Sequence, residues 1–192
     1  MIEIFLRPPR TAAEVGADVL RGVGILSVIV AAIFFEWTDA GIVAFALPGL
    51  FIPRFIGMVP WADAVVSATL LVAAWSNVFD LYARISWWDL VVHFTGAGVL
   101  GAVSYLLLAR LGVVAGPSER GFTPTGAVVI TAMSGLALGA LWELVEWVGY
   151  AYISEEIFVT YNDTIGDLAV GGLGALCAGF VVAFIPLLRR PD

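Results

Sequence analysis

Thr125 to Tyr150 reads TGAVVITAMSGLALGALWELVEWVGY. From Thr125 to Trp142 no residue carries a charge; Glu143 and Glu146 then follow one helical turn apart. An uncharged apolar stretch of roughly 18 residues or more is the mark of a transmembrane helix, because about 20 residues rising ~1.5 Å each cross a hydrocarbon core ~30 Å thick. Comparable stretches lie on either side, at about Gly22–Trp37, Gly41–Ile56, Ala62–Tyr82, Leu90–Leu111 and Thr164–Leu188. Composition agrees: 61% of residues are apolar and 13% charged, against about 45–50% and about 25% in soluble domains. A water-soluble fold is excluded, and the expected fold is all-α, a polytopic transmembrane helix bundle of six spans.

The second stretch is short and holds Pro48 and Gly49, so a re-entrant segment competes with a crossing. The arginines decide. The chain has no lysine, and with six crossings Arg7, Arg10, Arg21, Arg54, Arg110, Arg120, Arg189 and Arg190 share one side, leaving Arg84 on the other. Cationic residues concentrate in cytoplasmic segments, so this side and both termini are expected in the cytoplasm. Trp37, Trp87, Trp88, Trp147, Tyr150 and Tyr152 fall at outer span ends and Trp61 at an inner one, as interfacial anchors do. The expected organisation is a cytoplasmic lead-in over 1–21, a six-span domain over 22–188 and a cytoplasmic tail over 189–192. Thr11 to Arg21 reads as a short amphipathic approach to the first span. Met1 to Gly22 lacks the apolar core and cleavage pattern expected of a secretory signal. The expected location is the plasma (inner) membrane of a prokaryote, multi-pass.

The formal net charge is −7, and much of it lies on the expected outer face, including Glu155 and Glu156, which read as a solvated loop. This excludes nucleic acid as a partner, since such binding needs a basic footprint. The single cysteine, Cys177, sits in an apolar run, so no internal disulfide is expected. Gly96, Gly98, Gly101, Gly135, Gly139, Gly171, Gly172, Gly174 and Gly179 crowd the last three spans, the pattern of close helix packing in lipid.

Ionisable residues within spans are costly, and by default mark functional sites. Asp89 and His93 open the fourth span in WWDLVVHF, Glu143 and Glu146 lie near the outer end of the fifth in LWELVEW, and Asp163 and Asp167 open the sixth in YNDTIGDL. Spacings of three and four put each pair on one helix face, and the six-span topology puts all three pairs at one depth near the outer surface. Asp89 and Asp163 equally suit helix N-caps. Glu143 and Glu146 have no such alternative, because the C-terminal end of a helix disfavours anions. Carboxylates gathered this closely repel unless a cation or protons compensate them, and Arg84 alone is too little. Carboxylate oxygens with one imidazole suit Mg²⁺, Mn²⁺, Ca²⁺ or Zn²⁺. Iron ranks lower, because di-iron bundles use two Glu-x-x-His motifs and this chain has one histidine.

The ordered set Asp-x-x-x-His, Glu-x-x-Glu and Asp-x-x-x-Asp entering a glycine-rich last span resembles the YjdF-like family of small bacterial inner-membrane proteins. It is more remotely similar to VanZ-like proteins, which share an Asp and His at a span start. The resemblance covers roughly Trp75 to Gly179; the first two spans match in hydropathy alone, and Thr160, Tyr161 and Asn162 depart from the family's Gln-Gly pair. It implies six spans and names no chemistry.

Three functions are expected to compete. The first is a metal-dependent hydrolase or transferase acting on a lipid-linked or envelope substrate, with Asp89, His93, Glu143, Glu146, Asp163 and Asp167 as the metal set and Glu143 or Glu146 as general base. No recognised lipid-enzyme signature supports it, and the CDP-alcohol transferase pattern fails around Asp80 to Arg84. The second is a small transporter or ion-binding protein, for which Asp63 is the acidic candidate on the cytoplasmic side. The third is an accessory subunit with membrane-protein partners.

Overall fold

The computed structural model describes residues 1–154, 157 and 159–189. Glu155, Glu156 and Arg190 lie outside the described residues. The chain is all-helical, with one isolated backbone bridge between Met58 and Leu188. The helices are α1 (Ile2–Leu6), α2 (Ala12–Phe34), α3 (Trp37–Ile56), α4 (Pro60–Val78), α5 (Leu81–Arg84), α6 (Trp88–Arg110), α7 (Pro124–Tyr152) and α8 (Tyr161–Phe184). Among the described residues six of them, α2, α3, α4, α6, α7 and α8, are long and apolar enough to cross a membrane. Two compact units divide the chain, one of Met1–Trp88 with Pro186–Asp192 and one of Asp89–Ile185.

In the first unit α3 is a continuous helix of 20 residues despite Pro48 and Pro53 inside it. At ~1.5 Å per residue that is about 30 Å, the thickness of the hydrocarbon core. It ends at Gly57, whose φ of 72° is the left-handed conformation that closes helices at least cost in glycine. The Thr11 hydroxyl accepts the Glu14 N–H at 3.2 Å and starts α2. The stretch Thr11 to Arg21 is therefore continuous with the first span as one helix of 23 residues. Its polar groups are turned to internal use. Glu14 accepts from Arg7 at 2.6 Å. Arg21 donates to the Leu50 carbonyl at 3.0 Å, to Asp18 at 2.8 Å and to both oxygens of Asp63, which is 0% exposed. Arg54 meets Asp18 at 3.2 Å and donates to the Phe5 and Arg7 carbonyls. Arg189 donates to the Met58 carbonyl at 3.0 Å and lies 3.5 Å from Glu14. Charge at this end of the unit is thus largely paired within it, as burial demands.

The second unit consists of α6, α7 and α8 joined over small residues. A side chain at Gly174 would strike the Phe94 carbonyl of α6. One at Gly101 would come within 2.7 Å of the Thr131 carbonyl, and one at Gly135 within 2.7 Å of the Ala97 carbonyl. Lipid tails are as apolar as leucine, so such backbone-to-backbone packing replaces the hydrophobic effect as the adhesive. Gly179 sits against Val128 in the same way. Not every glycine of the sequence pattern serves it: Gly96 has nothing within 4 Å of its would-be Cβ.

Candidate metal centre

All three acidic pairs lie in the second unit, at the end where α6 and α8 begin and α7 finishes. The Thr160 hydroxyl accepts the Asp163 N–H at 3.3 Å and fixes the start of α8. Thr160 is the N-cap, so Asp163 belongs to the first turn and Asp167 stands one turn deeper. Asp89 likewise falls in the first turn of α6, with His93 one turn on. Anions in first turns suit the positive end of the helix dipole. Glu143 and Glu146 gain nothing from α7, because they lie in its C-terminal part.

One oxygen each from Asp89 and Asp167 and one nitrogen of His93 lie within 4.8 Å of one another. His93 Nε2 is 3.4 Å from Asp89 Oδ1, and Nδ1 is 3.9 Å from Glu143 Oε1. Both exceed the ~2.7–3.2 Å of an ordinary N–H···O bond. Two donors bound at ~2.0–2.2 Å to one cation stand about 3–3.6 Å apart at tetrahedral or octahedral angles. The His93–Asp89 spacing is that of an ion pair and is also compatible with a shared cation. A neutral imidazole donates from one nitrogen, and a protonated one from both, toward Asp89 and Glu143.

Burial sharpens the point. Asp167 is 3% exposed and Glu143 9%, yet Glu143 Oε1 has no hydrogen-bond partner among the described residues. A buried carboxylate oxygen left unpaired is costly. Glu146 is half-buried and within electrostatic reach of Glu143, His93, Asp89 and Asp167. Asp163 acts on Asp89 and His93 from a less enclosed position at the rim. The structure thus brings Asp89, His93 and Asp167 into one donor set, with Glu143 adjoining it and Glu146 and Asp163 around it.

Beside the cluster, α7, α8 and Val159 just before α8 line an open cleft of about 410 Å³. Glu143 and Thr164 supply its polar lining; Ala140, Leu144, Trp147, Val159 and Leu168 supply apolar walls. Sequence reasoning did not single out Thr164. Its place one residue after Asp163, on the turn that Thr160 caps, is the only signal in the sequence that marks it.

Six helices of membrane-crossing length, with paired acids and a histidine gathered on three of them, define a polytopic membrane protein with a charged site inside its helices. The chain belongs to the DUF2238 family of predicted membrane proteins, whose sequence profile matches residues 18–187. It is also similar to an uncharacterised protein of Thermotoga maritima, 26% identical over 122 residues, covering 60% of this chain and 58% of that protein. The chain therefore matches well under two thirds of that relative's length. No solved structure matches.

Proposed function

We propose that the cluster of Asp89, His93, Glu143, Glu146, Asp163 and Asp167 is a divalent-cation site, and that the protein is a metal-dependent hydrolase or transferase acting on a lipid or envelope substrate. The observation that carries this reading is the grouping of Asp89, His93 and Asp167 donors within 4.8 Å beside the unpartnered, nine-tenths-buried oxygen of Glu143. Five carboxylates and one imidazole carry more negative charge than the histidine can offset, and a bound cation would reduce the repulsion while leaving the Glu143 oxygen to a water beside it. Mixed carboxylate and imidazole donors suit Mn²⁺ or Zn²⁺ best, with Mg²⁺ and Ca²⁺ next.

Asp89, His93 and Asp167 would hold the cation, with Asp163 and Glu146 completing its surroundings. When bound, it would supply Lewis-acid polarisation of a phosphoryl or carbonyl oxygen and a more acidic water. Glu143 is the general base: its free oxygen takes the proton as the water oxygen bonds to phosphorus or to the acyl carbon. The bond to the leaving oxygen breaks, and that oxygen recovers the proton. In a transferase an acceptor hydroxyl replaces water.

The arginine distribution supports cytoplasmic termini, which place the cluster in the outer leaflet of a prokaryotic plasma membrane. The resemblance to YjdF-like proteins is consistent with six spans and leaves the chemistry open. The transporter reading is weaker, because Asp63, its further acidic candidate, is already held by Arg21.

Thermal unfolding with and without a chelator tests the reading. A cation at about 100 times its Kd stabilises by about 2.7 kcal/mol, which for a chain of 192 residues shifts Tm by roughly 5–11 °C. The wild type is expected to lose that much on chelation and Asp167→Asn to respond little. If the cluster is purely structural, the wild type ignores the chelator, and Asp167→Asn is at least as stable as wild type through relieved repulsion.

A further inference from the structure

We propose that the cleft between α7 and α8 seats the acyl chain of a membrane phospholipid whose phosphate lies at the acid–histidine cluster. This names a substrate class for the cation site above and rests on that reading.

The cleft has the build of a ligand site. Its volume of about 410 Å³ falls within the ~300–1,000 Å³ of small-molecule pockets, which combine apolar walls with a few placed polar groups. Its polar groups, Glu143 and Thr164, sit on the side of the cluster, and the unpartnered Glu143 oxygen is nine-tenths buried. Among the described residues the remaining walls, Ala140, Leu144, Trp147, Val159 and Leu168, offer nothing to hold a sugar, a nucleotide or a free ion.

Position selects the occupant. Leu144 is 57% exposed on a helix long and apolar enough to cross the membrane, so the medium it meets is hydrocarbon, and Trp147, 49% exposed one turn on, stands toward the interface. A void opening on that medium is continuous with the lipid-facing surface and accepts an alkyl chain without desolvating it. A water-soluble substrate would have to leave water to enter apolar walls. The head is taken from the cation reading. Asp89, Glu143, Glu146, Asp163 and Asp167 repel a bare phosphate, and a cation among them binds its oxygens. Seating of such a lipid is therefore cation-dependent, whereas ordinary annular lipid is indifferent to the cation.

The test uses the full chain in mild detergent, with phosphatidylglycerol bearing a photoreactive group near the carboxyl end of one acyl chain. Retained lipid is counted by native mass spectrometry in Mn²⁺ and in EDTA, and Mn²⁺ binding is measured in parallel by dialysis. The expected result is one lipid per chain in Mn²⁺, at least about tenfold less in EDTA, and photolabelling at Leu144 and Leu168. Ala140→Trp fills the cleft and is expected to lose that lipid while binding Mn²⁺ normally; Ala140→Leu, a smaller change, gives a partial loss should the tryptophan variant fail to fold. Label spread evenly onto Leu173 and Phe180, which are exposed elsewhere on α8, overturns the proposal, as does retention unchanged in both Ala140 variants or cross-linking to a second copy of the chain. Mn²⁺ bound without retained lipid sinks the substrate class and leaves the cation site standing. Lipid held equally in EDTA, with no Mn²⁺ bound, sinks both the cation reading and the headgroup assignment.

Discussion

Asp63→Leu is expected to destabilise the first unit by about 3 kcal/mol, and the reason lies in what it leaves behind. Asp63 is 0% exposed and accepts from Arg21 with both oxygens. Removing one member of a buried ion pair costs about 3–5 kcal/mol, because the other charge stays buried and uncompensated. Arg21 keeps two partners after the change, Asp18 at 2.8 Å and the Leu50 carbonyl at 3.0 Å, which puts the loss at the lower end of that range. For a chain of 192 residues a loss of ~3 kcal/mol corresponds to a fall in Tm of roughly 6–12 °C. Replacing both members, Arg21→Leu with Asp63→Leu, removes the stranded charge and is expected to recover most of the loss, since apolar replacements of buried pairs are often neutral or stabilising. The assay is thermal unfolding of the four proteins in one mild detergent, read as a double-mutant cycle. A single variant within about 1 kcal/mol of wild type, or a double variant losing the sum of both singles, refutes the account of this pair as a neutralising lock.

Packing, site and topology each offer a further check. Gly174→Leu drives a side chain into the Phe94 carbonyl and is expected to separate α8 from α6, lowering stability and abolishing cation binding together; Gly166→Ala, which meets nothing within 4 Å, is expected to be neutral or to gain up to ~1 kcal/mol in helix propensity. Unfolding curves for the two should move apart. His93→Ala is expected to weaken Mn²⁺ binding by about 10–100-fold or more, the size seen when even supporting groups around a metal are lost, with far-UV circular dichroism unchanged. Cysteine placed at Ser118 is expected to resist a membrane-impermeant thiol reagent in whole cells, whereas one at Ser154 reacts; labelling of the Ser118 variant from outside would invert the proposed orientation.

The helices were legible because each span is a long apolar run, and hydropathy reads such runs without knowledge of packing. Boundaries were less so. Hydropathy starts the first span at Gly22, but the helix starts at Ala12, because Thr11 caps it and the polar residues between find partners far along the chain. Arg21 and Asp63 are 42 positions apart, and no local pattern links them. The turn at Asp80, with φ 54°, was invisible for another reason: aspartate gives no glycine-like warning of a left-handed conformation. At the site, helical spacing of three and four exposed the shared faces. Which carboxylates enter the tightest group depends on helix rotation set by Gly98, Gly135 and Gly174, and spacing alone does not reveal it.

The cation site is tested most directly by counting bound metal. Protein extracted in mild detergent is stripped with chelator, dialysed against Mn²⁺, and assayed for manganese per chain, with Asp167→Asn beside it. The account predicts one Mn²⁺ per wild-type chain, displaceable by chelator, and little in the variant, because Asp167 is one of the three residues whose donors already lie within 4.8 Å. Wild-type protein that stays folded and binds no manganese, zinc, magnesium or calcium at millimolar concentration would contradict it.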